Sequence, residues 1–101
     1  MVVAVARVSL VVMHSHSLKE KRAVVRKLKD RIAARFDVRL AEVGGLDTWQ
    51  RAVLGFAVVG AERRVVESVR DDVVRAIEDM AAGEVVAVDR DVLVFDELGL
   101  A

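Results

Sequence analysis

Apolar and polar positions alternate along "VVAVARVSLVV" (2–12): every even position from Val2 to Val12 is apolar, while the odd positions include Arg7 and Ser9. A period of two in β-branched sequence predicts a strand with one buried face and one half-buried face. The period then changes. Leu18, Val25, Leu28, Ile32 and Phe36 recur at helical spacing and predict a helix of about 18 residues. It opens on Ser17-Leu18-Lys19-Glu20, a capping box in which the Ser17 hydroxyl accepts from the Glu20 N–H and the Glu20 carboxylate returns to the Ser17 N–H.

"DVRLAEV" (37–43) reads as a shorter, more polar edge strand, followed by the turn signal Gly44-Gly45-Leu46-Asp47. "WQRAVLGFAVVG" (49–60) reads as a third strand. From Glu62 to Met80, Val66, Val69, Val73, Ile77 and Met80 repeat at three and four, predicting a second helix with Gly83 placed to cap it. "EVVAVDRDVLVFD" (84–96) is a last strand whose charges near Asp89–Asp91 fall on both faces, and 97–101 is a tail. The order β-α-β-β-α-β predicts an α+β, ferredoxin-like split arrangement: a four-stranded antiparallel sheet with both helices on one face. The first and third strands, the most hydrophobic, belong at its centre.

Length fits one domain over 1–101, large enough for a single core. The balance of 54% apolar and 32% charged residues describes a globular chain rather than a disordered one. No apolar run reaches the ~18 residues of a membrane span, and the N-terminus lacks a basic signal-peptide region. With no cysteine there is no disulfide framework, and a cytoplasmic location is the default expectation. The absence of Asn and the excess of Arg over Lys fit a heat-tolerant source or a GC-rich genome equally well.

Formal charge is zero, but it is neutral by cancellation. Residues 17–36 hold eight Lys or Arg against two acids, whereas 83–101 hold one Arg against five acids. On a helical wheel Lys19, Arg22, Arg26 and Lys29 run along one flank of the first helix, and only Arg26 has an acid three or four residues away, Asp30. The second helix is laced with such pairs: Arg63–Glu67, Glu67–Arg70, Asp71–Arg75, Asp72–Arg75 and Arg75–Asp79. Cations near a helix N-terminus oppose the macrodipole, so an unpaired basic flank there works against local stability. Lys19, Lys21, Arg22 and Arg26 around free N–H groups make a phosphate-attracting surface. Three readings compete: RNA or another polyanion binds the flank, the acidic C-terminal strand or a second subunit neutralises it, or it has no role.

Trp49 beside Gln50 and Arg51 suits stacking on an unpaired base, and suits covering a core edge equally. His14 and His16, two apart on extended chain, could share a metal only if Glu42 or Asp47 joined them; a structural role at the strand-to-helix turn is the expected one. "LGFAVVG" (54–60) is superficially similar to the RNP1 pattern of RRM domains. However, the first strand has no aromatic and Phe56 is expected to face the helices with Leu54 and Val58. The open sheet face would then carry Val3, Val5, Val11, Val53, Ala57 and Val59, interrupted by Arg7, Ser9 and Arg51. Such a patch predicts a covering partner, and sheet-to-sheet homodimerisation is the favoured one. No nucleophile–base pair, paired carboxylates in a cleft, phosphate loop or nucleotide fingerprint is present, so neither catalysis nor a cofactor is expected.

"HSLKEKRAVVRKLKDRI" (16–32) and "AEVGGLDTWQRAVLG" (41–55), with the Val-rich first strand, resemble the bacterial YlxP-like family, a domain of unknown function. The resemblance extends to about residue 94. It implies a ferredoxin-like fold, and genes often found near those for translation initiation and ribosome-binding factor A, hence ribosomal RNA or the ribosome as a partner. It carries over no site residues. Asp37 and Arg39 depart from it, standing where relatives tend to have smaller polar residues.

The leading expectation is therefore a non-catalytic RNA- or ribosome-associated binding protein. It would use Lys19, Lys21, Arg22, Arg26 and Lys29, with Trp49 and Arg51 at the rim. The alternatives are a homo-oligomeric protein-binding module without a nucleic-acid role and a metal-dependent hydrolase built on His14, His16 and Glu42.

Overall fold

Strand β1 (Val2–Val11) buries Val2, Ala4, Ala6, Val8 and Leu10 and leaves its odd positions half-buried or exposed. The period-two pattern thus sets one face against the helices. The computed structural model describes residues 1–81 and 84–95, so Gly83 and the 97–101 tail lie outside the described residues. Helix α1 (Leu18–Arg35) starts where Ser17, in an extended conformation, accepts the Glu20 N–H on its Oγ at 3.1 Å. The return bond differs from the expected one. Glu20 Oε2 accepts the His16 N–H at 2.6 Å, one residue further back, while the Ser15 hydroxyl donates to the Ser17 carbonyl. The carboxylate therefore stabilises the chain entering the helix as well as its first turn.

Strand β2 (Ala41–Gly44) is shorter than the sequence suggests, because Val38 and Leu40 turn into the core ahead of it without pairing in the sheet. Strand β3 (Arg51–Gly60), helix α2 (Arg63–Met80) and strand β4 (Val85–Val94) complete the chain. The sheet order is β2-β3-β1-β4 with every neighbour antiparallel. This is the ferredoxin-like βαββαβ arrangement, with the two hydrophobic strands at its centre. One core joins Val8, Leu10, Leu54 and Phe56 of the sheet to Val25, Leu28 and Ile32 of α1 and Val73, Val74 and Ile77 of α2. No helix among the described residues is long and apolar enough to cross a membrane.

Of the five pairs expected along α2, Arg63–Glu67 forms at 3.3 Å and Asp72–Arg75 also forms. Glu67–Arg70, Asp71–Arg75 and Arg75–Asp79 do not: Arg75 turns to Asp72, and Arg70 leaves the solvated face. It lies four residues after Val66 and three before Val73, on the apolar stripe, and is buried. Its guanidinium donates to Asp71 Oδ1 at 3.1 Å and to the Asp91 carbonyl at 3.0 Å, and Arg90 on β4 shares the same Asp71 oxygen at 3.1 Å. This cluster ties α2 to the β4 edge. Partial burial pulls the Asp71 carboxyl upward, but hydrogen bonds and charge from Arg70 and Arg90 outweigh it and hold the group below its ordinary value.

The sign of the acid response follows. A carboxylate whose pKa is depressed on folding stabilises the fold fully above its unfolded value of about 3.9 and loses that contribution as pH falls through the folded value. Asp71→Asn should be less stable than wild type near neutrality. The gap between the two urea midpoints should narrow as pH is lowered below about 4, and a constant gap would exclude this origin.

Candidate nucleic-acid interface

Along the exposed flank of α1, Lys19, Arg22, Arg26 and Lys29 are not paired with any carboxylate among the described residues. Arg26 is not bridged even to Asp30, the one acid within reach on its own helix. Nor does the described part of the acidic last strand serve the flank. Asp89 is held by Arg7 at 3.0 Å, and an Asp91 carboxylate oxygen accepts the Val92 N–H at 2.8 Å. Arg22, Arg26 and Lys29, with Val25 and Glu42, line a shallow depression of about 180 Å³ between α1 and the edge of β2. Three cations around one small concavity make a local positive potential suited to an anion.

Lys21, grouped with the flank from sequence, belongs elsewhere. Its side chain is 0% exposed; Nζ donates to Glu42 Oε2 at 2.8 Å, to the Gly45 carbonyl at 2.7 Å and to the Leu46 carbonyl at 3.3 Å. An ammonium has three N–H groups, so none remains for a phosphate. The physical reason lies in spacing. Leu18, Lys21, Val25, Leu28 and Ile32 are separated by three, four, three and four, which sets Lys21 on the inward stripe. That spacing was the available signal, and the charge of Lys21 obscured it. The ion pair has an electrostatic consequence as well. Glu42 forms part of the wall of the cationic depression, and Lys21 cancels the negative charge it would otherwise set beside Arg22, Arg26 and Lys29.

By holding Gly45 and Leu46, Lys21 also fixes the turn that leads to Trp49. Gly45 has φ +69°, and an added Cβ would meet the Arg51 carbonyl at 3.0 Å, so the turn requires glycine there. The following loop packs beside the β1–α1 connection: the Val12 N–H donates to the Gln50 carbonyl at 2.8 Å. Trp49 stays 44% exposed, its ring 6.4 Å from that of His16 in an edge-on arrangement at 63°. An exposed indole thus stands beside the N-terminus of α1, where the basic flank begins. Arg51 does not join it. Ala52 and Leu54 face the core, so Arg51, paired with Val11, projects to the opposite face of the sheet.

The structure therefore brings together Lys19, Arg22, Arg26, Lys29 and Trp49, and separates Lys21 and Arg51 from them. Phe56 faces the helices, as expected, and offers no ring to a base on the open face. Among the described residues no three His, Asp or Glu side chains converge on a common point. His16 meets Trp49, and Glu42 is bound by Lys21.

The chain is 40% identical over 58 residues to the uncharacterized protein YlxP of Bacillus subtilis (strain 168), a match spanning 57% of this chain and 63% of that protein. The profile of a family described as a protein of unknown function, DUF503, matches residues 3–90, nearly the whole of the βαββαβ unit. On that match the chain belongs to the DUF503 family.

Proposed function

We propose that this protein is a non-catalytic binder of single-stranded RNA, with the α1 flank gripping phosphates and Trp49 stacking on an unpaired base beside the helix start. The observation that carries the reading is the row Lys19, Arg22, Arg26 and Lys29, unpaired among the described residues and next to an acid, Glu42, whose charge is cancelled from inside by Lys21. The row advances along the helix for about 15 Å, enough to follow several phosphates of an extended strand. The indole adds a contact that every base can satisfy, which suits recognition without a sequence code.

Four phosphate contacts on a single strand give a log–log dependence of affinity on salt with slope about −3. Titration of a fluorescent mixed-sequence oligoribonucleotide at several salt concentrations measures it. The variant carrying Lys19→Gln, Arg22→Gln and Arg26→Gln should retain the wild-type circular dichroism and unfolding midpoint, with the slope reduced to about −0.7. An unchanged slope would reject the flank as the phosphate site. Salt-sensitive capture of a protein that survives nuclease treatment, with no binding of the oligoribonucleotide, would move the flank to an acidic protein segment instead.

A further inference from the structure

The face of the sheet turned away from both helices is not accounted for by phosphate binding. Val59, Val3 and Leu93 form one continuous apolar row across β3, β1 and β4, and Val5 and Val53 extend the patch along the central strands. Gly55 adds no side chain of its own, and Val43 from β2 lies over it, 3.3 Å from where a Cβ would be. Val43, Val59 and Leu93 are each more than half exposed. With about 3.3 Å per residue and about 4.8 Å between strands, the three long strands alone present roughly 500 Å². The figure covers the whole face, with the apolar side chains grouped around Arg7, Arg51, Asp89 and Asp91.

We infer that the occupant of this face is a second copy of the same chain, the two sheets packing face to face around a two-fold axis. Charge argues for self-association over other partners. The strand residues of the face carry Arg7 and Arg51 against Asp89 and Asp91, a net of zero, and Phe56 is turned away from it, so a polyanion gains nothing there. Arg7 and Asp89 are hydrogen-bonded side by side at 3.0 and 3.1 Å, near the middle of the strands, and both remain well exposed. A two-fold axis near them sets each Arg7 against the Asp89 of the other copy, closing a ring of alternating charge. An isologous interface demands that kind of self-complementarity. Two such faces together remove roughly 1,000 Å² or more from water, the lower bound for a specific interface.

The β4 edge offers a poorer route. Pairing centred on Arg90 would set Arg90 against its own copy and Asp89 against Asp91, and like charges directly opposite are unfavourable. Face-to-face packing leaves both α1 flanks on the outside of the dimer, so the inference stands or falls independently of RNA binding.

Sedimentation equilibrium of the full chain, freed of nucleic acid and run over a concentration series, tests it. Wild type should fit a dimer. Val59→Lys, at a site 62% exposed and so tolerant of substitution, should weaken dimerisation by about a hundredfold or more. Arg7→Asp should weaken it as well, by setting like charges together at the axis, and Arg7→Asp with Asp89→Arg should restore it. A wild-type monomer at every concentration would overturn the inference. So would a dimer that both Val59→Lys and Arg7→Asp leave intact, which would point to the β4 edge.

Discussion

Replacing Lys21 with Met should lower stability by about 3–5 kcal/mol, although the substitution puts an apolar residue into an apolar stripe. The loss comes from what is left behind. The Glu42 carboxylate, only 12% exposed, would lose its partner, and the Leu46 carbonyl would lose its donor. The Gly45 carbonyl would retain the Thr48 N–H at 3.1 Å. Removing both charges is a different operation: replacing a buried ion pair by packed apolar side chains is often close to neutral. Lys21→Met with Glu42→Leu should therefore recover most of the loss, and a double-mutant cycle by urea denaturation gives the coupling directly. At about 4–8 °C per kcal/mol for a domain of this size, the single variant should melt at least roughly 12 °C lower. A loss under about 1 kcal/mol would mean that water reaches the pair.

The same variants bear on binding. Lys21→Met leaves Glu42 uncompensated in the depression formed with Arg22, Arg26 and Lys29, and should weaken the oligoribonucleotide complex at temperatures where the variant remains folded. The double variant removes that acid and should bind at least as tightly as wild type.

Phe56→Ala should cost about 3–5 kcal/mol and leave the salt dependence of RNA binding unchanged. Phe56 is 7% exposed, paired across the sheet with Ala6, and packed in the core shared by both helices. Ala6 is too small to fill the space that loss of the ring would open, so the cavity contribution adds to the lost transfer free energy. An aromatic that stacked on bases would show the opposite pattern, with affinity falling and stability held. Trp49→Ala supplies the contrast. At 44% exposed, it should lower affinity by about 1–3 kcal/mol while shifting the melting temperature little. Should Phe56→Ala abolish binding at full stability, this sheet would be reading bases in the manner of an RRM domain, and the α1 reading would fail.

The order of elements and the direction in which each central strand faces were legible in the sequence. Both rest on short-range periodicity: the even positions of β1 and the three-and-four spacing of α1 are recorded within a few residues of one another. The capping box was legible for the same reason, though the carboxylate of Glu20 reached His16 and not Ser17. Side chains that combine charge with a core position were harder to read. Lys21 and Arg70 lie on the apolar stripes of their helices, and a charged residue there is tolerated only if a partner waits inside.

What the sequence determined by itself was the βαββαβ order, the buried stripes and the row of cations along α1, because each follows from the local geometry of a helix or a strand. The tertiary structure alone decided which cations take a buried partner. Glu42 is twenty-one residues from Lys21, and Asp91 is the same distance from Arg70. Neither meeting exists until β2 and β4 take the two edges of the sheet. Folding selects which charges are withdrawn into the molecule, since a charge loses its water only where another group replaces it.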